Sequence, residues 1–255
     1  MVSDNTLETR VLCEKRHGGL VGRKLSIELS DSEHKLNYLV DAGLRDYPCR
    51  AYNAVFLTHH HKDHIRGLNR IPFQDTLTSH VISPMLNSKF SLPGLRINTR
   101  KSRGGIRARE HLYLSSGVYL DIFNISKCPV PVYEDAMIEV WGLPVNHDPQ
   151  FQCVSYLIRN RWTNRIIWVS GDLYKLPKSS LEFLLRHDIA LAILELTYFN
   201  NNGSGDYHLD LAAASSIISV IKPKAYWFVH FSGKWKGFEH LIKKNVPKPR
   251  QVYKF

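Results

Sequence analysis

The sequence predicts a layered α/β fold in which strands and helices alternate along the chain. Short runs of apolar, β-branched and aromatic residues recur and are bounded by Gly, Asp or Ser, which is typical of strands. Several of these runs are apolar throughout, which indicates strands covered on both faces. Other segments repeat apolar residues every three or four positions, as amphipathic helices do. Polar residues follow the strands, and layered α/β proteins build their sites at such strand ends.

The predicted strands, in chain order, cover residues 37–40, 54–57, 166–169, 189–194 and 225–229. Each runs into residues that can carry chemistry, which are Asp41, the histidine-rich run after Thr58, Asp172, Glu195 and His230. One helix is predicted over 181–185, capped by Ser179 and Ser180. A second is predicted over 209–221 and ends before Pro223. These elements place a candidate site where the strands end.

The composition is that of an ordinary globular protein, except for its charge. The chain has 255 residues, of which 44% are hydrophobic and 22% are charged. Lys and Arg total 34 against 23 Asp and Glu, which gives a formal net charge of +11. Such a surplus favours anionic partners such as nucleotides or nucleic acid. A basic surface that only aids solubility is the alternative.

Cysteine usage and the hydropathy pattern predict a cytoplasmic protein with no membrane partner. Four cysteines lie far apart without a C-x-x-C pair, namely Cys13, Cys49, Cys128 and Cys153. This spacing argues against a zinc ribbon and a disulfide framework, so reduced thiols are expected. The start of the chain lacks the features of a secretory signal, and no apolar run is long enough for a spanning helix.

A dense basic segment lies at 95–110, where the sequence is LRINTRKSRGGIRARE. It predicts a loop or a protruding hairpin around the two glycines. Arg100, Lys101 and Arg103 are therefore candidate contacts for substrate phosphates. A solvated flexible loop is the alternative, because runs of charge are usually solvated.

The strongest motif is H-x-H-x-D-H, formed by His59, His61, Asp63 and His64. Imidazole and carboxylate ligands suit zinc, manganese and iron(II). His59 and His61 can point the same way from an extended turn, whereas Asp63 and His64 can turn toward a neighbouring position. The motif can therefore serve two ions. It follows a buried-strand pattern, which distinguishes it from a histidine-rich surface tract.

The longer pattern L-T-H-x-H-x-D-H-x-x-G-L at 57–68 resembles the signature of the metallo-β-lactamase superfamily. The segments at 38–43, 144–148, 170–172 and 228–232 are also similar to motifs of that family. The resemblance implies an αββα four-layer sandwich that forms a single domain over residues 1–255. It implies His59, His61 and His147 on one metal, with Asp63, His64 and His230 on a second and Asp172 between them. Two divalent ions are expected, with zinc as the first choice and manganese as the alternative.

Two further segments resemble the phosphodiesterase branch of the superfamily, which includes tRNase Z. They are Glu195-Leu-Thr-Tyr198 and Tyr207-His208-Leu-Asp210. In that branch a glutamate and a further histidine flank the metals, and the histidine can protonate the leaving oxygen. The resemblance therefore implies catalytic roles for Glu195 and His208, and Asp63 could also orient the attacking water.

The predicted function is a metal-dependent phosphodiesterase that cuts a phosphodiester bond in a nucleotide or small cyclic phosphate. The alternatives are a nuclease acting on RNA or single-stranded DNA and a non-catalytic nucleic-acid-binding subunit. The sequence has no G-x-S-x-G elbow, P-loop or dinucleotide fingerprint, which disfavours those classes. A homodimer is compatible with the sequence, and a neighbouring subunit could then supply part of a substrate clamp.

Overall fold

The computed structural model describes residues 6–14, 16–31, 33–48, 51–73, 79–84, 110–113, 119–125, 127–200 and 207–255. Its strands in chain order are β1 (Glu8–Cys13), β2 (Arg16–His17), β3 (Leu20–Val21), β4 (Leu25–Asp31), β5 (Leu36–Val40), β6 (Ala54–Phe56), β7 (His80–Pro84), β8 (Glu110–Tyr113), β9 (Tyr119–Phe123), β10 (Val130–Glu134), β11 (Ile138–Val145), β12 (Cys153–Asn160), β13 (Ile166–Val169), β14 (Ile189–Glu195), β15 (Ala225–Val229) and β16 (Val252–Lys254). Its helices are α1 (Lys62–Ile65), α2 (Lys178–Leu184) and α3 (Leu211–Ile221). Short 3₁₀ turns cover Leu68–Arg70, Gly233–Trp235, Glu239–Leu241 and Lys243–Asn245.

These strands form two large mixed sheets and one small hairpin. The first sheet has the order β16-β1-β4-β5-β6-β7-β9-β8, and the second has the order β10-β11-β12-β13-β14-β15. β2 and β3 pair as a separate antiparallel hairpin. In the first sheet β5, β6, β7 and β9 are parallel neighbours, and in the second β13, β14 and β15 are parallel. The carboxyl ends of the strands in each parallel set therefore meet at one edge.

The main core lies between the two sheets. From the first sheet it takes residues such as Ile27, Tyr38 and Phe56, and from the second it takes Tyr156 and Trp168. Every residue of β14 is buried, which agrees with the continuous apolar run in the sequence. Burying apolar surface on both faces is the main contribution that stabilises such a layer.

Helices and turns cover the outer faces of both sheets. A second apolar cluster joins Leu39, Val55 and Val81 of the first sheet to Ile65 of α1 and Leu68 of the following turn. On the other side, α2 contacts β11 and α3 contacts β14. The order of layers is helix, sheet, sheet, helix, so the predicted αββα sandwich is confirmed.

The strands predicted from the sequence are all present, with ends that agree to within a residue or so. The helix predicted over 209–221 begins at Leu211, because Asp210 caps it by accepting a hydrogen bond from the Ala213 N–H at 2.9 Å. The predicted serine caps of α2 are wrong. The helix begins after Pro177, and the hydroxyls of Ser179 and Ser180 donate to carbonyls of neighbouring loops and strands instead.

Two predictions from the sequence are not tested by the described elements. They are the role of the basic segment and the single-domain organisation. Residues 95–109 of the basic segment, including Arg100, Lys101 and Arg103, lie outside the described residues. Their role therefore stays a prediction, as does the single-domain organisation. Within the described ranges, no helix is long and apolar enough to cross a membrane.

Candidate metal centre

The candidate site lies where the carboxyl ends of both parallel sets meet. The run after β6 is held against β12, since the Val154 N–H donates to the Thr58 carbonyl at 2.9 Å. The Tyr156 hydroxyl donates to the Leu57 carbonyl at 2.6 Å. These two bonds join the sheets beside His59, so the histidine-rich run enters the gap between them.

The backbone must bend sharply to deliver these residues, and glycine is required at two places. Gly171, beside Asp172, has φ +58, and an added Cβ would lie 2.8 Å from Thr58 Cβ. An added Cβ at Gly43 would lie 2.2 Å from the carbonyl oxygen of Asp63. Asp41 and His230 adopt positive φ without being glycine. Such left-handed residues are strained, and they persist where surrounding contacts fix them.

A first group of potential ligand atoms comes from His59, His61, His147 and Asp172, which lie within 4.8 Å of one another. His61 Nδ1 lies 3.0 Å from His59 Nε2 and 3.2 Å from His147 Nε2. Asp172 Oδ2 lies 3.8 Å from Nε2 of both His59 and His147. Three imidazoles and a carboxylate therefore face one point.

A second group consists of Asp63, His64 and His230. Nε2 of His64 lies 3.3 Å from Nε2 of His230, and Asp63 Oδ2 lies 3.7 Å from the latter. Asp172 reaches this group as well, with Oδ2 3.2 Å from His64 Nε2 and Oδ1 3.4 Å from His230 Nε2. Asp172 is thus the side chain that the two groups have in common.

His208 and Glu195 border the same space. Nδ1 of His208 lies 3.1 Å from Oε2 and 3.2 Å from Oε1 of Glu195, and 3.7 Å from Asp172 Oδ2. Glu195 is nearly fully buried, whereas the His208 side chain keeps 14% of its surface exposed. His208 is therefore fixed by the glutamate and still reaches the open side of the site.

Each histidine of the two groups has its other ring nitrogen beside an oxygen acceptor. The pairs are His59 with the Thr58 hydroxyl at 3.0 Å, His61 with Asp148 at 3.1 Å, His64 with Asp41 at 2.8 Å, His147 with the Tyr207 carbonyl at 2.5 Å and His230 with the Thr197 hydroxyl at 3.0 Å. Such partners fix the ring orientation and tautomer of a metal-binding histidine. In the neutral form of each ring, the inward nitrogen is therefore the one that carries the lone pair.

The charge states of Asp172 and His59 suit a bound cation. Burial raises the pKa of Asp172, but the positive charges of His230 and His64 bring it well below its usual value. Burial and the charge of His64 lower the pKa of His59 well below the usual value of a histidine. Ionised Asp172 therefore faces a neutral imidazole with an inward lone pair.

The donor set fits divalent metal ions. Inward-facing imidazole nitrogens 3.0–3.3 Å apart bring like partial charges together inside the protein. Buried polar atoms of this kind need a partner, and a metal cation supplies one to several lone pairs at once. Nitrogen and carboxylate oxygen donors are those that zinc and manganese accept.

Comparison with known proteins bears on this arrangement. A family model described as a beta-lactamase superfamily domain matches residues 37–231. The chain belongs to the beta-lactamase superfamily. The prediction that the chain is a metal-dependent hydrolase is therefore confirmed at the level of the superfamily. The matched span contains every residue of the groups around Asp172. No curated protein matches the chain.

Solved structures share the superfamily fold at low sequence identity. A metallo-beta-lactamase fold protein, YhfI from Bacillus subtilis, is 13% identical with a TM-score of 0.63, and the match covers 98% of this chain and 99% of that one. The short form of human tRNase Z is 12% identical with a TM-score of 0.62, covering 97% and 98%. A diphosphatase of the PhnP family is 15% identical with a TM-score of 0.59, covering 98% and 97%. At these identities the similarity is one of fold.

The structure brings all nine predicted site residues outside the basic segment into this one region. His60, inside the histidine-rich run, points elsewhere. Its Nε2 lies 2.8 Å from the Ser83 hydroxyl, and burial lowers its pKa to about 4. Successive side chains of the run thus point in alternate directions, which agrees with the H-x-H spacing of His59 and His61. That the superfamily motif residues bind metal here stays a prediction.

Sequence reasoning missed several side chains that orient the site. Asp148 follows a predicted ligand directly, and Thr197 lies inside the motif at 195–198, so their positions carried a signal. The carbonyl of Tyr207 carried none, because any residue has one. Arg23 was also missed, although its charge acts on His208. The segment around Arg23 approaches the site through the pairing of Gly22 with Phe231, which are far apart in the sequence.

Proposed function

We propose that this chain is a metal-dependent phosphodiesterase that hydrolyses a phosphodiester bond in a nucleotide or a small cyclic phosphate. The observation that carries the proposal is the position of Asp172, which reaches both histidine groups and also lies 3.7 Å from His208. A carboxylate shared between two donor sets suits a pair of cations. A histidine held by a glutamate beside that carboxylate suits a reaction in which an alkoxide leaves.

The residues that would hold the metals divide into the two groups described above. His59, His61 and His147 would hold one ion, Asp63, His64 and His230 the other, and Asp172 would contact both. When bound, two divalent ions supply positive charge that stabilises a phosphoryl transition state and lowers the pKa of a water molecule. Zinc is the expected metal and manganese the alternative, since both accept these ligands.

The remaining groups of the site position and move protons. Glu195 holds Nδ1 of His208, which leaves Nε2 to donate a proton to the departing alkoxide. Asp63 keeps 30% of its side chain exposed, so it would be accessible to orient the attacking water. A well-placed general acid typically contributes ~10²–10⁴ in rate.

The charge of the chain supports a phosphate-containing substrate. A formal net charge of +11 attracts anions, and it suits a phosphodiester better than a neutral ester or lactam. Among the structures that share the fold, one is named a tRNase and another a diphosphatase. The same charge also leaves room for a nuclease acting on RNA or single-stranded DNA, with Arg100, Lys101 and Arg103 as its exosite. The non-catalytic subunit is the third hypothesis, and a cytoplasmic location and a homodimer remain further predictions.

A substrate panel with a matched pair of variants tests the proposal. Bis-p-nitrophenyl phosphate, cyclic nucleotides and labelled RNA would be incubated with protein loaded with zinc or manganese. We expect about two metal ions per chain in elemental analysis and hydrolysis of the small diesters. His61→Ala should lower this activity about a thousandfold, because a catalytic metal contributes several kcal/mol.

The control is His240→Ala, which removes an exposed histidine in the turn Glu239–Leu241. It should retain the metal content and the activity of the parent protein. A chain that binds no metal after purification without chelator would overturn the enzyme proposal. Cleavage of RNA but of no small diester would favour the nuclease, and then neutralising Arg100, Lys101 and Arg103 should impair cleavage of the polymer.

A further inference from the structure

An open cavity of about 840 Å³ lies beside the candidate metal centre. Leu20, Phe231 and Trp235 supply apolar surface to its wall, and all three are buried within the fold. Ligand-binding cavities for small organic molecules commonly measure about 300–1,000 Å³ and combine apolar walls with a few polar groups. The cavity is therefore large enough for an organic group of nucleoside size.

The backbone that carries the candidate ligands also forms the wall of this cavity. Phe231 directly follows His230, and its N–H donates to the Val21 carbonyl at 2.9 Å. Gly22 and Phe231 pair as an isolated bridge, which brings the segment after β3 alongside. The Ser232 hydroxyl donates to the Thr197 carbonyl at 2.7 Å. A molecule in the cavity would thus lie next to the site.

The charged side chains lining the cavity are three cations and two carboxylates, namely Arg23, Lys24, Lys236, Glu14 and Glu239. Glu14 already has two cationic neighbours, since its Oε2 lies 3.7 Å from Arg66 and 3.9 Å from Lys24. Arg23 and Lys236 form no ion pair with any residue in the described part of the chain. Two cations are therefore available for an anion from outside.

Arg23 lies on the segment of the cavity wall that borders the candidate site. It directly follows Gly22, and Gly22 pairs with Phe231, the residue after His230. Arg23 and Phe231 both line the cavity. Arg23 is therefore placed in the wall next to the segment that carries His230.

We propose that this cavity binds the organic group of the substrate, a nucleoside bearing an anionic group besides the scissile phosphodiester, and that Arg23 and Lys236 bind that second anion. This inference rests on the proposed function, because it names the substrate that the same site takes. The apolar wall would contact the base or sugar. Arg23 and Lys236 are then specificity-determining residues, and the preferred substrate is a nucleotide with at least one further phosphate.

Three diesters with the same leaving group test the inference. They are methyl p-nitrophenyl phosphate, the p-nitrophenyl phosphate diester of thymidine, and that diester with a second phosphate on the sugar. The loaded protein should prefer the thymidine diesters to the methyl diester, and the bisphosphate above all. Arg23→Ala and Lys236→Ala should each lower the preference for the second phosphate about tenfold, because a hydrogen bond between charged groups is stronger than one between neutral groups.

Filling the cavity gives an independent test. Gly233 lines the cavity, and a Cβ built on it meets no atom within 4 Å. Gly233→Phe should therefore lower kcat/KM for the thymidine diesters roughly tenfold or more relative to the methyl diester. Gly233→Ala is the matched control for size and should change this ratio far less. Arg186→Ala, which removes an exposed arginine elsewhere, should leave all three rates unchanged.

Binding of thymidine bisphosphate, measured by calorimetry, separates the two proposals. If no diester is cleaved but thymidine bisphosphate binds, and Gly233→Phe and Arg23→Ala weaken that binding, the proposed function fails and the cavity assignment stands. If the diesters are cleaved and Gly233→Phe slows all three equally, or none, the cavity assignment is overturned and the function stands. Should Gly233→Phe fail to fold, as judged by circular dichroism, the two cation variants decide the matter.

Discussion

The two sheets hold the site with the same device, a chain of hydrogen bonds from histidine through threonine to a buried carboxylate. In the first sheet His59 contacts the Thr58 hydroxyl, which bonds to Asp41 at 2.9 and 3.0 Å. In the second sheet His230 contacts the Thr197 hydroxyl, which donates to Glu195 at 2.5 Å. Each threonine accepts from an imidazole and donates to a carboxylate, so neither hydroxyl is left unpaired.

The two chains of hydrogen bonds differ in which further groups the carboxylate contacts. Asp41 also contacts Nδ1 of His64 at 2.8 Å, so it orients two proposed metal ligands. Glu195 instead contacts Nδ1 of His208, the proposed general acid, and accepts from the Leu173 N–H at 2.8 Å. The carboxylate of the first sheet thus orients only proposed metal ligands. The carboxylate of the second sheet orients one proposed ligand and the proposed proton donor, so mutations of the two carboxylates should impair different steps.

Among the variants that test this difference between the sheets, Glu195→Gln should have the largest effect. An amide in place of the carboxylate weakens the hold on His208, so kcat should fall about a hundredfold or more for diesters with poor leaving groups. The loss should be smaller for p-nitrophenyl esters, whose leaving group needs less help from an acid. Rates across a series of aryl and alkyl diesters would measure this difference.

The matched control for Glu195→Gln is Glu182→Gln, which changes a half-exposed glutamate in α2. It should leave both classes of diester unaffected. A uniform loss for every leaving group, accompanied by lost metal, would contradict the role of Glu195 in positioning an acid. It would make Glu195 a counterpart of Asp41.

The next effect in size is that of Asp41→Asn on metal affinity. The amide has only one acceptor oxygen, whereas the carboxylate serves the Thr58 N–H, the Thr58 hydroxyl and His64. Mutating such a partner typically costs ~10–100-fold in metal affinity. Competition with a chelator would measure the loss of metal affinity. The accompanying loss of activity should be the same for every diester. Asp188→Asn, at an exposed ion pair with Lys224, is the control and should bind metal normally. Leaving-group dependence in Asp41→Asn would remove the distinction between the two sheets.

Much of the fold and of the site could be predicted because both depend on local patterns. The apolar runs of β13 and β14 are buried at every residue, so the pattern needs no knowledge of the partner strands. The strand β11 alternates between buried and half-buried positions in its first half, which is typical of a strand, although no strand is predicted there from the sequence. The motif at 59–64 likewise carries its chemistry within six residues.

The remainder depends on pairings between distant residues, which the sequence does not display. β1 pairs with β16 at the other end of the chain, and no local pattern fixes that choice. Arg23 lines the cavity beside the site because Gly22 pairs with Phe231, about two hundred residues later. A single basic residue beside a short hairpin gives no sign of this. The hydrogen bond from His147 to the Tyr207 carbonyl cannot be predicted from the sequence either, because every residue has a backbone carbonyl.

The smallest effects should come from the threonines, and they test whether the two chains of hydrogen bonds are equivalent. Thr58→Val and Thr197→Val keep the shape of the side chain but remove the hydroxyl. Each leaves a buried imidazole N–H without its acceptor and removes one of several hydrogen bonds to the carboxylate, and an unpaired buried group typically costs ~1–3 kcal/mol. We therefore expect about a tenfold loss of metal affinity in each variant. Chelator competition would measure it.

Serine at the same positions separates the hydroxyl from the methyl group. Thr58→Ser and Thr197→Ser retain the donor and acceptor, so they should recover most of the affinity that valine loses. Thr197→Val should additionally show a trace of the leaving-group dependence of Glu195→Gln, because the Thr197 hydroxyl also lies 3.2 Å from His208 Nδ1. Thr58→Val should show none, since Thr58 contacts only the ligand side. If both valine variants behaved alike toward poor leaving groups, the second sheet would hold its proton donor without help from Thr197, and the difference between the sheets would reside in Glu195 alone.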